Sequence, residues 1–61
     1  MSVIKEIYND WQSGELDNKE ALQYMKENIK DSELLSKIDV CDDEIQALNL
    51  IESEYALAVF N

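Results

Sequence analysis

The chain has 61 residues, with fourteen acidic side chains, five lysines, no arginine and no histidine, and its formal net charge is −9. A chain of this length forms one domain and buries only about 60% of the surface that it exposes when unfolded. An enzyme with its own substrate cavity is therefore not expected, and the usual proton shuttle and bidentate anion clamp, His and Arg, are both missing. The excess of negative charge argues against direct binding of nucleic-acid phosphates.

The single cysteine, Cys41, cannot form an internal disulfide, which excludes a secreted scaffold held together by disulfide bonds. The first residues predict no secretory leader, and the longest apolar run, residues 55–60, is far shorter than the roughly 18 residues of a membrane-spanning helix. An anionic membrane surface would repel so acidic a chain. These features predict a cytoplasmic protein that does not bind membranes.

The first predicted helix covers residues 3–13. Its apolar side chains recur at helical spacing, at Val3, Ile4, Ile7, Tyr8 and Trp11. Ser2 has the side chain of an N-cap residue, and Gly14 stands where the residue after a helix adopts a positive φ. Proline is absent and Gly14 is the only glycine, which favours an all-α fold.

A second helix is predicted over residues 18–30. Asp17 and Glu20 have the spacing of a capping box, in which each side chain accepts a hydrogen bond from the backbone of the other residue. The apolar side chains that follow are Ala21, Leu22, Met25 and Ile29. This helix start is the clearest boundary in the sequence.

A break is predicted near residues 30–32, followed by a third helix over residues 32–38. Leu34, Leu35 and Ile38 point to roughly the opposite side of a continuous helix from Met25 and Ile29. One straight helix could not bury both groups in one core, whereas a break capped by Asp31 or Ser32 resolves the conflict. The alternative is a continuous helix that bridges two partners.

The last helix is predicted over residues 42–60. Residues 39–44 contain an acidic cluster of four carboxylates that opens this helix, and part of the cluster interacts favourably with the helix dipole. Its main apolar face consists of Ile45, Leu48, Ile51, Tyr55, Ala58 and Val59, while Leu50 and Leu57 form a second ridge and Phe60 projects elsewhere. A helix that is apolar on several sides is buried on several sides. The sequence thus predicts a compact all-α bundle of three to four short helices that self-associates through the C-terminal helix.

No catalytic, cofactor or metal site is predicted. The acids of the cluster lack the spacing and the glycine of a calcium loop, and a zinc site would need His or a second Cys. Cys41 has acidic neighbours and no base to activate it, so we interpret it as a buried or incidental cysteine. Tyr8, Trp11 and Tyr24 lie in phase with aliphatic residues, which indicates core packing rather than a stacking platform for bases.

Two features of the sequence exceed what folding requires. Residues 1–37 contain eight acids and five lysines, a net charge of −3, whereas residues 38–61 contain six acids and no lysine, a net charge of −6. Potential of one sign steers association with a basic partner. The second feature is the surplus apolar surface of the last helix. Together they predict a protein-binding site made of Asp39, Asp42, Asp43, Glu44, Leu50, Glu54, Leu57 and Phe60.

The favoured functional hypothesis is a small acidic regulator or inhibitor that docks on a larger, basic protein. In a sharper form of this hypothesis, the protein is a nucleic-acid mimic whose carboxylates occupy the basic channel of a nucleic-acid-handling protein. In smallness and acidity the chain is similar to the antirestriction and anti-CRISPR proteins of phages and plasmids, a likeness of character without matching residues. The alternative is a homodimeric structural or accessory subunit whose acidity serves solubility alone.

Overall fold

Four α-helices make up most of the computed structural model, which describes residues 2–57. They are α1 (Val3–Gln12), α2 (Asn18–Asn28), α3 (Ser32–Asp39) and α4 (Glu44–Glu54). The described residues contain no strand. The prediction of a small all-α bundle is confirmed.

The helix starts follow from local capping. Asp17 accepts a hydrogen bond from the backbone N–H of Glu20 at 2.8 Å, and Glu20 accepts one from the backbone of Asp17 at 3.3 Å, so the predicted capping box is confirmed. Ser2 caps α1 and Asp31 caps α3. The predicted start of the last helix at residue 42 is wrong by two residues, because Asp43 is its N-cap.

The predicted break between the second and third helices is confirmed, and the alternative of one continuous helix is wrong. α2 ends at Asn28, and Ile29 takes an extended conformation with φ −88° and ψ 125°. This bend directs Ile29 into the same core as Leu34 and Ile38, each 4% exposed. The predicted end at residue 30 was late, because Ile29 reaches the core from outside the helix.

All four helices contribute side chains to one core. Tyr24 is 41% exposed, so the prediction that it packs in the core is wrong. α2 packs against both α1 and α4, and α3 packs against α4. Met25 of α2 and Leu48 and Ile51 of α4 are the largest fully buried side chains. The rest of the buried core consists of Ile4, Ile7, Tyr8, Ala21, Ile29, Leu34, Ile38, Ala47 and Leu57. At ~25 cal/mol per Å² of apolar surface removed from water, burial of these residues is the main stabilising contribution.

The last helix ends at Glu54, so its predicted extension to residue 60 is wrong for residues 55–57; residues 58–60 lie outside the described part. The backbone N–H of Leu57 donates to the carbonyl of Glu52 at 3.0 Å, and that of Ala56 donates to Ser53 at 3.3 Å. These two bonds form a Schellman motif, with Ala56 in the left-handed region at φ 52°. The turn carries Leu57 back into the core, where it is 5% exposed.

Ala56→Gly is expected to stabilise the fold by about 1 kcal/mol, because a left-handed φ strains any residue that has a Cβ. The free energy of unfolding from urea titration measures the effect. The matched control is Gly14→Ala, since Gly14 has φ 90° and a Cβ added there would meet nothing within 4 Å. That variant should lose about 1 kcal/mol through backbone strain alone. A loss of stability in Ala56→Gly would contradict the left-handed turn.

Candidate protein-binding surface

Four of the predicted binding residues come together at the junction of α3 and α4, and we call Asp39, Asp42, Asp43 and Glu44 the acidic corner. Asp39 is the last residue of α3 and Glu44 the first of α4. The short turn between the helices is held by Gln46, whose side chain accepts from the backbone N–H of Asp42 at 2.9 Å. All four acidic side chains are exposed.

Two acids of the corner have structural roles. The carboxylate of Asp43 accepts from the backbone N–H of Gln46 at 2.8 Å and so caps α4. Asp39 forms an ion pair with Lys26 of α2, with 3.5 Å between Oδ1 and Nζ. An exposed pair of this kind contributes little to stability. Asp42 has neither role, and Glu44 lies in the first turn of α4, where the helix dipole favours its charge.

Two apolar side chains accompany the corner. Val40, directly after α3, is 80% exposed, and Ile45, in the first turn of α4, is 45% exposed. Sequence reasoning missed both, because it passed over Val40 and placed Ile45 on the buried face. The available signal was the position of Val40 directly after Asp39 at a helix end, where no helical stripe continues. The corner therefore combines apolar and anionic surface.

The remaining predicted binding residues do not join the corner. Leu50 is partly buried against the core, and Leu57 is buried in it, so the predicted ridge of Leu50 and Leu57 is not an exposed surface. The prediction was wrong because it assumed a straight helix through residue 57. Glu54 is exposed at the far end of α4, about 15 Å along the helix axis from Glu44. Phe60 lies outside the described residues.

Polar contacts between α1 and the end of α4 stand apart from the corner. The hydroxyl of Tyr8 donates to Oε2 of Glu52 at 2.9 Å, and Nζ of Lys5 donates to the carbonyl of Leu57 at 2.8 Å. Burial raises the pKa of Tyr8 above its usual value, and the hydrogen bond and negative charge of Glu52 raise it further. Both contacts connect structural elements, and the geometry assigns them a role in holding the bundle together.

Neither Cys41 nor the acids assemble a reactive or metal-binding centre among residues 2–57. The thiol of Cys41 is half-buried and donates to the carbonyl of Lys37 at 3.3 Å. Within that part of the chain, no three side chains of Cys, Asp or Glu are arranged to hold a metal ion. None of its helices is both long and apolar enough to cross a membrane.

The chain was compared with protein families, curated proteins and solved structures. No family model, no curated protein and no solved structure matches it. The candidate surface is therefore defined by its own geometry, charge and exposed apolar side chains.

Proposed function

We propose that this chain is a small, non-enzymatic regulator or inhibitor that docks on a larger protein with a basic surface through the acidic corner. The observation that carries the proposal is that Val40 is 80% exposed and follows directly after Asp39, the first residue of the acidic corner. Protein interfaces commonly have an apolar centre and a polar rim. Val40 and Ile45 supply apolar contact, and the carboxylates supply the rim.

Charge supports a basic partner. From residue 38 to residue 57 the chain has six acids and no lysine. Lys26 of α2 is the one lysine that forms an ion pair with the corner within the described residues. The corner thus presents charge of one sign, which raises the rate of encounter with a basic surface.

A nucleic-acid-handling protein is the sharper form of this proposal. Carboxylates of the corner would then occupy a basic channel that otherwise receives phosphates. The support is the same surplus of negative charge, and competition distinguishes this form from a general basic partner. A DNA or RNA duplex should displace the chain from a partner whose nucleic-acid channel it occupies, and it should leave any other partner bound.

The test is affinity capture from source-cell lysate at low and high salt, followed by kinetic measurements on the captured protein. The variant Asp42→Asn/Asp43→Asn/Glu44→Gln removes three charges, and Asn at position 43 preserves the helix cap. We expect its association rate at low salt to fall about tenfold. Val40→Ser should instead increase the dissociation rate, since it removes apolar contact from the interface.

The matched control places the same charge loss on exposed positions around α1, as Glu6→Gln/Asp10→Asn/Glu15→Gln. Equal slowing by both triple variants would show that net charge alone governs association. Unchanged rates in the corner variant would remove the corner from the interface. Circular dichroism should show that both variants keep their helices.

A further inference from the structure

An open groove of about 410 Å³ runs between α2 and the start of α4. It was not foreseen from the sequence, because it forms only where the two helices meet. Leu22 contributes apolar surface, and two lysines of α2 contribute the cationic side. The lining residues are Lys19, Leu22, Gln23, Lys26, Glu27 and Glu44.

The groove and the acidic corner lie side by side on one face of the molecule. Glu44 belongs to both, and Lys26 of the groove lies 3.5 Å from Asp39 of the corner. One face therefore combines a groove lined by two lysines and two glutamates with an exposed corner that carries four carboxylates. Such a face has the two complementary halves that a two-fold dimer requires.

Charges on both halves have no partner within residues 2–57: Lys19 in the groove, and Asp42 and Glu44 in the corner. Lys26 pairs with Asp39, whereas Lys19 forms no ion pair in that part of the chain. In the corner, Asp43 caps α4, whereas the carboxylate of Asp42 forms neither an ion pair nor a hydrogen bond with residues 2–57. Glu44 also lines the groove of its own protomer, which leaves Asp42 as the unpartnered anion outside the groove, opposite in charge to the unpartnered Lys19.

We propose that a second copy of this chain covers this face around a two-fold axis. Val40 of each protomer enters the groove of the other and contacts Leu22, and Asp42 of each protomer pairs with Lys19 of the other. The pairing removes the most exposed large apolar side chain of residues 2–57 from water. It differs from self-association through the C-terminal helix, because it uses α2 and the junction of α3 and α4.

Self-pairing would cover the acidic corner, so a dimer and a basic partner would compete for the same surface. The chain would then bind its partner as a monomer, and dimerisation at high concentration would lower the fraction of the chain that is free to bind. The dimer itself does not rest on the proposed function, because its test needs only the purified chain. Failure of one proposal leaves the other standing.

The test is sedimentation equilibrium of the wild-type chain over a wide concentration range, with two charge-reversal variants. Lys19→Glu places like charges at both symmetry-related contacts, and so does Asp42→Lys. Each variant alone should weaken dimerisation about tenfold or more. An equimolar mixture of the two should restore the dimer, because each contact then again joins a cation to an anion.

The matched controls are Lys30→Glu and Glu15→Lys, which make the same charge changes at exposed positions outside this face. They should dimerise like the wild type, and their mixture should show no selective pairing. A wild-type chain that stays monomeric at millimolar concentration would overturn the proposal. Variants that dimerise normally, or a mixture that fails to restore the dimer, would do the same. Val40→Ser gives a second check, since it should weaken the dimer without altering charge.

Discussion

Ile51→Ala is expected to leave a large fraction of the chain unfolded at room temperature. Ile51 is 0% exposed and lies on α4 at the centre of the core. Truncation of a buried Ile to Ala costs about 2–5 kcal/mol, from lost burial and from the cavity left behind. A core of this size rarely supplies more than about 3–5 kcal/mol of net stability. Urea titration followed by circular dichroism should show little or no folded baseline.

Ile45→Ala provides the matched control on the same helix. Ile45 is 45% exposed, so its truncation removes little buried surface and should change the free energy of unfolding by less than about 1 kcal/mol. The sequence pattern placed both isoleucines on one apolar face, whereas in the structure Ile51 is buried and Ile45 is exposed. If both variants lost similar amounts of unfolding free energy, α4 would have to be rotated so that Ile45 is also buried.

Leu57→Asp is expected to abolish cooperative folding. Leu57 is 5% exposed and belongs to the core, so the substitution would place a carboxylate among apolar side chains. Such a change costs more than about 4 kcal/mol when no partner compensates the charge. A helix running straight through residue 57 predicts the opposite result, a folded chain that only loses association. Thermal unfolding monitored by circular dichroism distinguishes the two.

Val40→Asp also replaces an aliphatic side chain with a carboxylate, but at a position that is 80% exposed. It should shift the free energy of unfolding by no more than about 0.5 kcal/mol. If Leu57→Asp unfolds with the same midpoint as Val40→Asp, the C-terminal turn does not bury Leu57. The comparison therefore tests the part of the fold that the sequence did not predict.

The starts of α1, α2 and α3 were predictable because their signals are local. The side chains of Asp17 and Glu20, three residues apart, accept hydrogen bonds from each other's backbone N–H groups. Asp31 caps α3 without help from distant parts of the chain. The break before α3 was also predictable, because two apolar stripes on opposite sides of one helix cannot share a core. In each case, neighbouring residues contain the whole physical cause.

The end of α4 and the composition of the candidate surface depend on tertiary structure instead. No glycine or proline marks the turn at Ala56 in the sequence. The turn is stabilised by the burial of Leu57 and by the hydrogen bond from Lys5 to the carbonyl of Leu57. The exposure of Ile45 depends on where α2 and α3 leave α4 uncovered. The acidic corner was predicted from charge density, whereas its apolar members and the adjoining groove required the packed helices.

The contacts of Lys5 with Leu57 and of Tyr8 with Glu52 have a kinetic consequence. They are the side-chain hydrogen bonds that join distant parts of the sequence within residues 2–57; all others span at most seven residues. A contact that closes a loop of more than forty residues is costly in chain entropy until the intervening helices have packed. These two bonds should therefore form after the rate-limiting step of folding, and weakening them should accelerate unfolding while leaving the folding rate almost unchanged.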